Sequence, residues 1–128
     1  MKLHPDEVEG VNVISHIEAG QVRVNGVSHA GNLLVPWSGE ILKWTAHDFD
    51  SLTEADFAQL LGIKPELVVF GSGAKLRFSK PALQRPLIDR RIGVETMDSG
   101  AACRTFNVLA GEGRRVVTAL LMAGNDPA

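Results

Sequence analysis

One cysteine, Cys103, stands in a chain of 128 residues. A lone thiol excludes an internal disulfide, and small secreted domains usually carry cysteines in even sets, so the composition points to a reducing compartment, the cytoplasm. The same shortage removes the common metal sites. There is no second cysteine, and His4, His16, His29 and His47 show neither His-x3-His nor His-Glu-x-x-His spacing, so no metal is expected. An excess of one charge is also missing. With 13 Lys and Arg against 15 Asp and Glu, the net charge is −2 and the signs are mixed, which argues against a protein built to neutralise a phosphate backbone; nucleic acid is not an expected partner. No apolar run approaches the roughly 20 residues that cross a bilayer, and the opening from Met1 to Glu7 lacks a signal peptide's apolar stretch. The expectation is a soluble protein with peripheral membrane contact at most. Repeats and low-complexity tracts are absent as well.

What is present is 45% hydrophobic residues, enough for one substantial core. Residues 1–128 read as a single domain, with 1–8 and 123–128 frayed. The first third alternates apolar and polar residues. Val11 to Ile17 and Gln21 to Val24 form a hairpin, Asn25-Gly26 is a turn signal, and Val27 to Val35 reads as a third antiparallel strand. Helical spacing starts after Thr53, a capping residue, with Phe57, Leu60 and Leu61 on one face and Gly62 as the stop. Glu66 to Phe70 is a short continuous apolar run, the pattern of a strand covered on both faces.

From there strand and helix alternate. Pro81 to Ile92 reads as a helix with Leu83, Leu87, Ile88 and Ile92 inward. Pro86 would cost about 3 kcal/mol inside a regular helix, so the regular part is expected to start near Arg85, after a looser turn. Val94 to Met97 is the next strand, Gly100 to Ala110 the next helix, and Arg114 to Met122 the closing strand. Such a series implies an α/β domain: right-handed crossovers onto a largely parallel sheet with helices packed on it, preceded by the N-terminal antiparallel hairpin region.

In open α/β sheets, ligands favour the crevice beyond the carboxyl ends of the strands. Two loops fall there, Gly71-Ser72-Gly73 and Asp98-Ser99-Gly100, and the second opens a helix carrying Cys103 and Arg104. Glycines let backbone N–H groups approach a ligand, and a helix N-terminus suits an anion. Gly71, Ser72, Gly73, Ser99, Gly100, Cys103 and Arg104 are therefore the candidate ligand-binding residues. The same glycines also serve a simple tight turn, since no Gly-Lys-Ser/Thr ending or third Rossmann glycine follows. Beside a cation in a first helical turn, Cys103 is a candidate thiolate; free cysteine is among the most buried residue types, so the reading as a small core residue is preferred. Arg104 either meets a ligand or bonds strand-end carbonyls or a carboxylate such as Glu95 or Glu112. Trp37 and Trp44, seven residues apart in one irregular segment, either plug the core or wall a pocket. No catalytic constellation is assembled, and no cofactor is expected.

Three blocks carry a likeness beyond these patterns: Gly93 to Leu109 followed by Glu112-Gly113-Arg114-Arg115-Val116, Val35 to Leu42, and Val69 to Gly73. Together they resemble an uncharacterised-domain family that includes mitochondrial complex I assembly factor 3, across nearly the whole chain. The resemblance implies a three-layer α/β domain with a mixed sheet and no catalytic residue to carry over. It implies a protein partner, because the mitochondrial member is a protein-binding chaperone in assembly of the membrane-bound NADH dehydrogenase. Without a mitochondrial presequence, a bacterial cytoplasmic setting is the simpler fit. The function expected is a non-enzymatic protein-interaction or assembly-factor-like module. The alternative is a small-molecule or anion-binding protein, or an enzyme, using the crevice from Gly71–Gly73 to Ser99–Arg104.

Overall fold

The computed structural model describes residues 10–18 and 20–122; the two ends expected to fray, 1–8 and 123–128, lie outside the described residues. A five-stranded sheet forms the middle layer, in the order β5 (Leu42–Lys43), β4 (Leu33–Pro36), β8 (Val116–Leu120), β6 (Leu67–Gly71), β7 (Gly93–Met97). The two central strands, β8 and β6, are buried at every residue. Their continuous apolar runs are what a strand covered on both faces requires. β6 pairs in parallel with β7 and β8, while β4 runs antiparallel to β8 and to β5.

Alternation along the strands feeds two cores. Val116, Leu120 and Met122 face one side with Val69 and Val35; Val117, Ala119 and Leu121 face the other with Val68 and Phe70. On the first side lies α3 (Ser99–Gly111), which packs Ala102, Phe106 and Ala110 inward. The second side is covered by α1 (Glu54–Ala58) and α2 (Arg85–Ile88). These places follow from the connections. The chain steps from β6 outward to β7 and then back past β6 to β8, and crossovers of one hand travelling in opposite directions fall on opposite faces.

The N-terminal strands β1 (Ile14–Glu18), β2 (Gln21–Val24) and β3 (Val27–Ala30) form a separate antiparallel sheet above the α3 face. Asn25 (φ 52°) and Gly26 (φ 83°) make the left-handed pair that a two-residue hairpin needs. Ile14 and Ile17 are three apart, so a regular strand would point them to opposite faces; a bulge between Ile14 and His16 restores both to the core side.

Three sequence-based expectations are corrected. Val27 to Val35 is not one strand: at Gly31 (φ 85°) the chain leaves the small sheet, and β4 joins the large one, which raises the antiparallel share of that sheet. Gly62 does not end the first helix. A 3-10 turn runs on through Ile63, and Lys64 takes the left-handed stop ahead of Pro65. Ile88 is half exposed rather than inward, because α2 is a single turn following the 3-10 segment Pro81–Gln84, and Leu87 takes its core-facing position. The start at Arg85, with Pro86 in the first turn where no intrahelical bond is lost, is as expected.

Candidate functional site

The connections leaving β6 and β7 go to opposite faces, so the crevice between their carboxyl ends is the place where such sheets bind ligands. In this protein that crevice is stitched by its own groups. Ser72 is fully buried; its N–H donates to the Met97 carbonyl (2.8 Å), and its hydroxyl donates to the Lys75 carbonyl (2.7 Å) and accepts from the Arg77 N–H (3.0 Å). Ser99, 2% exposed, accepts from the Gly73 N–H (2.9 Å) and donates to the Leu121 carbonyl (2.5 Å), while its own N–H reaches the Gly73 carbonyl (2.8 Å). Gly71 is required by this closeness. A β-carbon there would stand 2.9 Å from Leu120 Cδ2 and from Ser99 Oγ, and 3.0 Å from Ser99 Cα. Gly73 supplies a left-handed turn at φ 107°.

The N-terminus of α3 is capped from within. Asp98 Oδ1 accepts from the Ala101 N–H (2.9 Å), so a carboxylate already complements the positive end of the helix dipole. One turn on, Cys103 is 4% exposed, and burial pushes its thiol up to about 12, against a weaker opposite pull from Arg104. It is therefore protonated at neutral pH and sits in the core with Ala102 and Phe106. Arg104 is exposed; among the described residues its side chain makes no hydrogen bond or ion pair, and neither Glu95 nor Glu112 meets it.

Arg104 borders a groove between α3 and the outer edge of β1. One cavity of about 250 Å³ is lined by Ile14, Ser15, His16, Ile17, Gly100, Cys103, Arg104 and Asn107. An adjoining one of about 280 Å³, sharing Ile17 and Gly100, continues to Glu18, Gly73, Ala74, Asp98 and Ser99. The groove thus gathers Gly73, Ser99, Gly100, Cys103 and Arg104, whereas Gly71 and Ser72 lie beneath it. Its charge is divided. Arg104 and His16 line one stretch, and the carboxylates of Glu18, whose Oε1 lies 3.3 Å from His16 Nε2, and Asp98 line the other.

Sequence reasoning missed the residues of β1, His16 among them, and Asn107, which holds the groove together. Its side-chain oxygen accepts from the Ile14 N–H (2.9 Å) and its amide donates to the Ile14 carbonyl (2.6 Å), giving the edge strand a substitute partner. A single asparagine on a helix carries no local signal of a partner 93 residues away.

The two tryptophans do not meet. Trp44 is buried on the α1 and α2 side, edge-on to Phe57 and Phe70 at 5.8 and 5.9 Å, with its indole N–H on the Asp56 carbonyl (2.9 Å). Trp37 packs against the core on the α3 side, half-buried. Trp44 also touches a third cavity, of about 250 Å³, with Asn32, Lys43, Ala46, His47 and Asp48. Among the described residues no three His, Cys, Asp or Glu side chains gather to hold a metal.

A family model described as "Protein of unknown function (DUF498/DUF598)" matches residues 14–121. The chain belongs to this family. One relative, NADH dehydrogenase (ubiquinone) 1 alpha subcomplex assembly factor 3 of Bos taurus, is 34% identical over 90 residues, 69% of this chain and 48% of the relative. The chain spans about half the length of the assembly factors it matches. An uncharacterised protein of Rhodobacter capsulatus is 36% identical over 115 residues, covering 84% of this chain and 83% of that one. Among solved structures, a Bordetella parapertussis protein superposes with a TM-score of 0.83 at 32% identity, over 91% of this chain and 99% of that one. A Bordetella pertussis protein described as an Mth938-like domain gives 0.81 at 30% identity, over 97% and 94%. These neighbours share the mixed α/β architecture described above, and the protein-family match spans β1 to the residue after β8. No helix among the described residues is long and apolar enough to cross a membrane.

Proposed function

We propose that this chain is a non-enzymatic module that works by binding protein, in the manner of an assembly factor for a respiratory NADH dehydrogenase, within the cytoplasm of a bacterium. The observation that carries the reading is the family relation to assembly factor 3, at 34% identity over most of the chain. Two features of the site favour it. The strand-end crevice spends its serine hydroxyls on its own loops, and the one thiol is buried and protonated.

The sheet also offers a partner an open edge. β7 pairs only with β6 among the described residues. Because the Met97 carbonyl turns toward the β6 side to accept from Ser72, alternation turns the backbone groups of Val94 and Thr96 outward, free for an added strand. The test is affinity capture of the chain after mild cross-linking in its own cells. The expected result is a stoichiometric protein partner, lost when Thr96→Pro removes an outward N–H at the edge and retained in Cys103→Ser. Recovery of the chain alone would count against the proposal.

A small anionic ligand is the second reading, favoured by the exposed Arg104 beside the groove. Titration of the protein with inorganic phosphate would show saturable binding that Arg104→Ala removes. Binding unchanged by that substitution would discard the groove as its site.

A further inference from the structure

The segment joining β6 to the 3-10 turn at Pro81 carries Phe78, 72% exposed, and Leu76, 54% exposed. Between them Arg77 points the opposite way. Its guanidinium lies 4.4 Å over the Phe49 ring, its Nη2 donates to the Ser72 carbonyl (3.3 Å), and its N–H donates to the Ser72 hydroxyl. In an extended segment alternate side chains face opposite sides, so the inward anchoring of Arg77 sets Leu76 and Phe78 outward together. Lys75, Lys80 and Arg85 are exposed on either side of them. From Glu66 to Asp89 the intervening sequence holds four cations and no acid, in a chain whose net charge is −2.

We propose that this loop docks the protein on the surface of an anionic lipid bilayer. Phe78 and Leu76 enter the boundary between headgroups and acyl chains, and Lys75, Lys80 and Arg85 meet the lipid phosphates. Charge complementarity and shape both favour a bilayer over an acidic protein. Two bulky apolar side chains, each more than half exposed, project from one segment with exposed cations on both sides in sequence. A fluid interface accepts such a projection without a matching pocket, whereas a protein partner would need a pocket for each ring and chain. The loop is already fixed through Arg77, so docking does not have to order it.

The test is co-sedimentation of the whole protein with vesicles of phosphatidylcholine alone and of phosphatidylcholine and phosphatidylglycerol in equal parts. Binding is expected only to the anionic vesicles and is expected to weaken as salt is raised. Lys75→Ala, Lys80→Ala and Arg85→Ala should each reduce partitioning about five-fold. Phe78→Ser should remove most of the remaining binding and Phe78→Leu should retain it, all with an unchanged thermal midpoint because these side chains are exposed. Equal binding to neutral vesicles, no binding to either, or indifference to Phe78→Ser overturns the proposal. So does capture of an acidic protein through this loop while both vesicles are ignored.

Discussion

At the scale of single residues, burial and hydrogen bonds within the chain hold the strand-end crevice together. Ser99 bridges the Gly73 N–H and the Leu121 carbonyl inside the crevice. Ser99→Ala would leave both buried groups unpaired and should cost about 2–3 kcal/mol in denaturant unfolding. Gly71→Ala should be similarly damaging, because its nearest clash includes the Ser99 backbone, which cannot swing aside. Cys103 should resist alkylation in the folded protein and react once unfolded. Its thiol titrates near 12 in the fold instead of at the ordinary 9.0. Below pH 9.0 both folded and unfolded chains keep the proton; above it the unfolded chain loses a proton that the fold retains, so stability falls with rising pH. The advantage of the wild type over Cys103→Ala should therefore shrink from pH 9.0 toward 12, and a constant difference across that range would contradict the buried thiol.

At the scale of elements, what could be read in the sequence was local and what could not was distant. Thr53 is a cap because its neighbours make it one: its hydroxyl accepts from the Asp56 N–H and Asp56 returns the bond. The Asn25-Gly26 turn and the apolar run of β6 are local in the same sense. The division between β3 and β4 is not. It depends on pairing with β8 and on Asn32, whose side chain accepts from the Met122 N–H 90 residues away. Likewise the strand-end loops were placed correctly, but nothing in Gly71-Ser72-Gly73 foretold that the neighbouring loop would fill the crevice. The docking of β1 on α3 through Asn107 was invisible for the same reason. Asn107→Ala should cost about 1–3 kcal/mol. Amide hydrogen exchange should locate the loss in β1 to β3, with β6 and β8 still protected, since the small sheet meets the rest of the protein across this clamp.

At the scale of the whole molecule, a mixed sheet covered on both faces carries a crevice bridged by its own loops, a groove of divided charge and, among the described residues, an unpaired edge at β7. The role proposed from the family relation is partner binding. The most direct measurement of that role is native gel electrophoresis of respiratory complexes from source cells lacking this protein. The proposed role predicts less fully assembled NADH dehydrogenase and an accumulation of partial complexes, restored by the wild type and by Cys103→Ser but not by Thr96→Pro. A full complement of assembled enzyme in the deleted strain would contradict it.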